Sequence, residues 1–221
     1  MSLGLETEYK FLVKNEAWKA VEPIAIKHIS QHYIPRTQEN RVQLTLDHNA
    51  GEAAVIAHFA GGEIRFPIPR DTLASFGQDN LRALTNDRGQ IVIDDKTEAR
   101  IRSSDDQYVF TVKAKTGEVA SRRELEFAIA PKSALALIAQ CEHSLEKIRH
   151  VLTIDGNKWE VDVFQGKNAS LTTVEVEADT IPAQLPDWVG QNVTGNDKYS
   201  NQQLARIPYS QWAKSAAVVA V

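Results

Sequence analysis

The stretch Glu6-Thr7-Glu8-Tyr9-Lys10 places a charged side chain at every second position, with small or aromatic residues between. On an extended strand successive side chains point to opposite faces, so Glu6, Glu8 and Lys10 share one face. A single strand of this kind is common at a solvated edge. The same period recurs, however, as Arg100-Ile101-Arg102, Lys113-Ala114-Lys115, Glu124-Leu125-Glu126, Lys147-Ile148-Arg149, Glu160-Val161-Asp162 and Glu175-Val176-Glu177. Each doublet lies in a run with β-branched or aromatic residues at the alternate positions, as in Tyr108 to Lys115 and Lys158 to Phe164. A sandwich would scatter these charged faces over its outside. A sheet closed into a barrel, with helices packed outside, would gather them into a tunnel lined with carboxylates and cations.

The chain of 221 residues, 43% hydrophobic, is long enough for one substantial core, and one domain with an insertion is expected. A formal charge of -4 argues against a dedicated nucleic-acid binder. Cys141 is the sole cysteine, which excludes an intramolecular disulfide and a cysteine-based zinc site and fits a reducing compartment. The first strand is expected to start close to Met1, which would leave no room for a signal peptide, and no run approaches the roughly 18 apolar residues of a membrane span. A cytoplasmic location is expected.

The first strand is expected over residues 4–13, followed by a helical segment from Asn15 to Ile26 that Pro23 shortens or bends. A second strand follows from His28 to Ile34, where His28 and His32 stand about 13 Å apart along the strand, too far to chelate one ion. Residues 37–96 lack the doubled charges. Strand-like runs at 41–47, 53–59 and 63–68, turns at Asn49-Ala50-Gly51 and Gly61-Gly62, and a short helix after Pro69 mark an insertion packed beside or over the main sheet. Arg36, Arg41 and Arg65 could still reach an anion. Two hairpins over 98–129, a helix from Lys132 to about Glu142 on Leu135, Leu137 and Ile138, a hairpin turning at Asp155-Gly156-Asn157, and a last strand over 170–178 complete the pattern. Without the insertion this makes eight strands, about the smallest number that closes around a ligand-sized interior. The tail leads through Asp197-Lys198-Tyr199-Ser200-Asn201 into a short helix before Pro208, and 213–221 is expected to fray.

Buried charges must be paired with each other or with a ligand. Glu6, Glu8, Asp162, Glu175 and Glu177 could gather around a divalent cation, and oxygen-only donors favour Mg²⁺ or Mn²⁺ over zinc. Arg100, Arg102, Lys113, Lys147 and Arg149 could cradle a polyanion. Metal facing cations suits a triphosphate, and phosphoryl or nucleotidyl transfer follows as the reaction class. No GxxxxGK[ST], HExxH or GxSxG motif is present.

The opening Glu6-x-Glu8-x-Lys10, the Arg100-x-Arg102 and Lys113-x-Lys115 hairpin, Lys147-x-Arg149, Trp159-Glu160-Val161-Asp162, Val174-Glu175-Val176-Glu177 and the Asp197 to Asn201 segment together resemble the CYTH superfamily, the triphosphate tunnel metalloenzymes. Within it the chain is similar to the bacterial single-domain inorganic triphosphatases. The likeness covers residues 1–36 and 97–212. It implies an α+β fold: an antiparallel eight-stranded closed β-barrel with helices packed outside and an inserted β-rich segment. The domain would span 1–212 with 37–96 inserted.

By position, Glu6, Glu8 and Glu177 would hold Mg²⁺ or Mn²⁺, and Asp162 and Glu175 would hold or orient a second ion or its waters. Lys10, Arg100, Arg102, Lys113, Lys115, Lys147 and Arg149 would grip phosphates, and Lys198 could close one mouth of the tunnel. Glu8, Lys10, Lys113, Lys147 and Asp162 would form the catalytic set, with a metal-activated water attacking a terminal phosphorus. The implied partner is a small triphosphate compound rather than nucleic acid or membrane, and a homodimer is compatible with it. Class IV adenylyl cyclases and thiamine triphosphatases share the cradle, and a non-catalytic polyphosphate or nucleotide sensor is the alternative of another class.

Overall fold

The computed structural model describes residues 5–35, 41–47 and 52–212, with the side chains of 5, 6, 41–47 and 52 left outside that description. Arg36, the Asn49-Ala50-Gly51 turn, the 213–221 tail and the side chains of Glu6 and Arg41 therefore lie outside the described residues. In chain order the elements are β1 (Leu5–Val13), β2 (Ala25–Tyr33), β3 (Arg41–Asp47), β4 (Glu52–Phe59), β5 (Gly62–Ile68), α1 (Arg70–Phe76), α2 (Gln78–Leu84) and β6 (Gln90–Ile91). Then come β7 (Thr97–Ser104), β8 (Gln107–Lys115), β9 (Ser121–Ala128), α3 (Pro131–Ile138), β10 (His143–Ile154), β11 (Asn157–Phe164), β12 (Thr172–Glu177), β13 (Val189–Asn192) and α4 (Asn201–Arg206).

The larger sheet has the order β12-β11-β10-β2-β7-β8-β9-β1-β13, and β12 also pairs with β1. Its ladder therefore returns on itself through eight strands as a closed antiparallel barrel, the architecture that the family resemblance implied. Two local expectations are corrected. The helix proposed from Asn15 to Ile26 is only a 3₁₀ turn, Glu16–Ala20, capped by the Asn15 side chain accepting from the Ala17 N–H at 2.9 Å. Pro23 cannot donate a helical hydrogen bond, and β2 already begins at Ala25. The helix proposed to reach Glu142 stops at Ile138; Gln140 and Cys141 donate to carbonyls three residues back and tighten the chain into β10. Ala134 and Leu137 are its buried positions, while Leu135 is 56% exposed.

By its packing the chain divides into two units, Met1–Glu6 with Gln31–His143 and Thr7–Ser30 with Ser144–Val221. In the first unit, β7, β8 and β9 form consecutive antiparallel ladders, and positive φ at Asp105 (49°) and Asp106 (64°) gives the β7–β8 connection a tight hairpin turn. Ala99, Ile101, Phe110, Val112, Leu125 and Phe127 take one face. The 41–91 segment builds a four-stranded sheet of order β5-β4-β3-β6, whose Val55 and Phe66 enter the same core, together with Phe76 of α1, Leu81 and Leu84 of α2 and Leu137 of α3. Phe66 meets Phe110 edge-on, ring centroids 4.9 Å apart. This segment shares a core with the hairpins and does not build one of its own.

In the second unit, β10 and β11 are joined through Asp155 and Gly156 at φ 50° and 77°, a turn that needs left-handed backbone at both positions. β11 pairs β12 and β12 pairs β1. Phe11, Leu152, Trp159, Val161, Val174 and Val176 form the apolar face, covered by Trp18 of the 3₁₀ turn and by Trp188 and Val189 near β13. Gly190 of β13 passes so close to β1 that a Cβ there would meet the Leu12 carbonyl oxygen at 2.7 Å.

Candidate active site

In each unit the face opposite the apolar core carries the charges, because a strand's side chains alternate and the register aligns like faces on neighbouring strands. In the second unit the cross-strand row Lys10↔Glu175↔Glu160 lies beside Thr173↔Asp162↔Arg149. The carboxylates do not cluster there; they pair with cations. Lys10 Nζ is 2.7 Å from Glu175 Oε1. Arg149 donates through Nε and Nη2 to the two oxygens of Asp162, each at 2.7 Å, through Nη2 to Glu175 at 2.6 Å, and through Nη1 to Glu160. Lys147, fully buried, donates to Asp162 Oδ2 at 2.5 Å.

The electrostatics follow from this packing. Burial alone would lower the Lys10 ammonium, but Glu175 and Glu8 reverse that and hold it above its ordinary value. Burial would raise Glu175, yet Lys10, Lys147 and Arg149 hold it well below the usual carboxylate range. Lys147 goes the other way: burial and the neighbouring Arg149 lower it, against the pull of Asp162. A carboxylate with a depressed folded-state pKa lends stability that is present above its unfolded value, about 4.3, and lost as pH falls through the folded one. The melting-temperature gap between the wild type and Glu175→Gln is accordingly expected to be full near neutrality and to narrow as pH drops below about 4. A constant gap over that range would remove Glu175 as the source.

In the first unit the rows are Glu98↔Lys113↔Glu124 and Arg100↔Thr111↔Glu126. Lys113 Nζ lies 3.0 Å from Glu124, and Arg102 donates to Glu126 at 2.6 Å, whose other oxygen accepts from Thr111 at 2.9 Å. Arg100 is different. It is 8% exposed, its nearest carboxylate oxygens, on Glu98 and Glu124, are both 3.7 Å away, and its Nε has no hydrogen-bond partner. At 3.7 Å an ion pair screens charge but makes no hydrogen bond.

No family model matches the chain. An inorganic triphosphatase from Acetivibrio thermocellus is 35% identical over 129 residues, 57% of this chain and 82% of that protein. Another from Nitrosomonas europaea is 33% identical over 140 residues, 60% of this chain and 91% of that protein. The chain belongs to the inorganic triphosphatase family. Among solved structures, one described as an inorganic triphosphatase aligns over 90% of this chain and 93% of its own length, at 23% identity and a TM-score of 0.46.

Against the site residues expected for a CYTH triphosphatase, Glu8 stands directly opposite Glu177 across the β1–β12 ladder. The Glu177 side chain is 47% exposed, with Lys158 Nζ 3.8 Å away. Among the described residues, no three carboxylate, histidine or cysteine side chains converge as a metal cluster. Lys115, at the end of β8, is exposed. Lys198 lies in a 3₁₀ turn, Asp197–Tyr199, ahead of α4, with its ammonium 4.0 Å from the Trp212 ring centroid, a cation–π contact. Among the described residues no helix is long and apolar enough to cross a membrane. The carboxylates that engage the cations, Glu98, Glu124, Glu126 and Glu160, were absent from the expected site. Three of them belong to period-two doublets, and that period was the available signal; their partners became visible only with the strand register.

Proposed function

We propose that this chain hydrolyses inorganic triphosphate, using a divalent cation, Mg²⁺ or Mn²⁺. The observation that carries the proposal is the unpartnered Nε of the buried Arg100. A guanidinium has five N–H donors in a planar fork. Arg149 spends its donors on three carboxylates of the protein, whereas the more than nine-tenths buried Arg100 has an unpartnered Nε and only distant carboxylates. Burying such donors is costly unless an acceptor arrives. A tripolyphosphate, dense in anionic oxygens, is an acceptor of that kind, and its terminal phosphate is suited to the fork.

Arg100, Arg102 and Lys113 would bind phosphate oxygens and draw charge from the bridging oxygen as the terminal P–O bond breaks. Lys10, kept protonated by Glu175 and Glu8, would offer a permanent cation in its own unit. Asp162 would hold Lys147 and Arg149 in place. Glu8 and Glu177, opposite each other on adjacent strands, would offer carboxylate oxygens of the kind that Mg²⁺ or Mn²⁺ prefers. Such an ion would supply phosphate charge neutralisation and a more acidic water. Water attack on the terminal phosphorus then releases phosphate and pyrophosphate. The catalytic domain on this proposal spans 1–212, with 37–96 inserted.

Phosphate release from tripolyphosphate, ATP and thiamine triphosphate, each with Mg²⁺, Mn²⁺ or chelator, tests the assignment. Tripolyphosphate is expected to turn over fastest, and chelation to stop it. Tight binding without turnover in either metal would replace the enzyme with a sensor. Glu8→Ala is expected to lower turnover by on the order of 10²-fold or more while the melting temperature moves by only a few degrees. Full activity in that variant would remove Glu8 from the metal.

A further inference from the structure

Two buried polar side chains of β2 have no part in the chemistry above. Gln31 and Tyr33 sit two residues apart on one strand face, both almost fully buried, and the Tyr33 hydroxyl donates to Gln31 Oε1 at 2.9 Å. The Ile34 N–H donates to the Ala99 carbonyl at 3.0 Å, which sets Tyr33 alongside Arg100 on the neighbouring β7. Burial and the Glu98 carboxylate push the phenol far above its ordinary value, so it keeps its proton. With that proton committed to Gln31, the oxygen has only lone pairs to present, and the adjacent charge is the Arg100 guanidinium.

If these side chains served only to fill space, Phe and Leu would do so without burying a hydroxyl and an amide. Arg100 needs a fixed orientation from something other than its carboxylates, which stand too far away to hydrogen-bond it. A guanidinium delivers two parallel hydrogen bonds only when its plane is set. We propose that Tyr33, with Gln31 behind it, is a positioning residue that holds the Arg100 plane in the orientation that meets the phosphate oxygens. This inference rests on the triphosphatase assignment.

The test is tripolyphosphate affinity, measured by calorimetry on the full chain in four backgrounds: wild type, Tyr33→Phe, Arg100→Ala and the double variant. Tyr33→Phe is expected to weaken binding by on the order of tenfold in the wild type, the scale of one hydrogen bond to a charged group, and to change nothing once Arg100 is gone. Equal weakening in both backgrounds, or none in the wild type, would overturn the inference. Should the orphaned Gln31 amide unfold the single variant, Tyr33→Phe with Gln31→Leu removes both polar groups and serves in the same cycle. Wild-type protein that neither binds nor hydrolyses tripolyphosphate would refute the triphosphatase assignment and this inference together. Wild-type turnover with an indifferent Tyr33→Phe would refute this inference alone.

Discussion

Replacing Asp162 by Asn is expected to cost about 3–5 kcal/mol of stability, the range for removing one partner of a buried ion pair. Asp162 is fully buried and receives Lys147 and two donors of Arg149. Arg149 retains Glu175 and Glu160, but the carboxylate that receives the Lys147 ammonium is Asp162 itself, and that ammonium is already lowered by burial. Without Asp162 it can escape by giving up its proton, which at pH 7 costs about 4–5 kcal/mol from an unfolded pKa near 10.4. The deficit should therefore shrink as pH rises towards 10, and Lys147→Met in the same background should recover most of it. At neutral pH the melting temperature is expected to fall by about 6–20 °C. Chemical denaturation across pH decides the matter: a deficit independent of pH, or one that Lys147→Met leaves untouched, would show that Lys147 is not its source.

Arg100→Ala carries the largest expected effect on catalysis, a fall in kcat/KM for tripolyphosphate on the order of 10²–10³-fold, as for other preorganised donors to developing negative charge. Arg100→Lys should recover little of it, because an ammonium cannot reproduce the planar fork. The fold should tolerate both changes better than it tolerates the loss of Asp162, since Arg100 makes no short carboxylate hydrogen bond. Steady-state phosphate release is the measurement, and a fall of less than about threefold would take Arg100 out of the phosphate site. Arg149→Lys offers a contrast: its donors already lie on protein carboxylates, so stability should suffer first.

Much of the architecture was legible from local chemistry. The alternation in Glu6 to Lys10, Lys113 to Lys115 and Glu175 to Glu177 assigns faces because a strand has a period of two whatever its neighbours are. The Asp105-Asp106 and Asp155-Gly156 turns announce hairpins because few residues accept positive φ. The segment before Pro23 was misread as a helix because its Trp18 and Val21 suit one turn as well as several, and only the start of β2 at Ala25 limits it. The second sheet over 41–91 was visible as strands, but not as a participant in the core of β7 to β9, since that depends on Phe66 meeting Phe110 and Phe127.

The charged side chains mark the boundary between the two kinds of knowledge. Sequence alone determined which residues share a face and that carboxylates and cations are both abundant there. It could not separate Arg149 from Arg100, two arginines in similar period-two doublets. Tertiary structure decided that difference through register: Asp162 stands opposite Arg149, with Glu160 and Glu175 within its reach, whereas Arg100 stands opposite the hydroxyl of Thr111. A shift of one residue in either ladder would turn these side chains to the other face, and register is a property of paired strands that no single strand carries. Arg149 is consequently satisfied by carboxylates of the protein, while Arg100 keeps an unpartnered Nε.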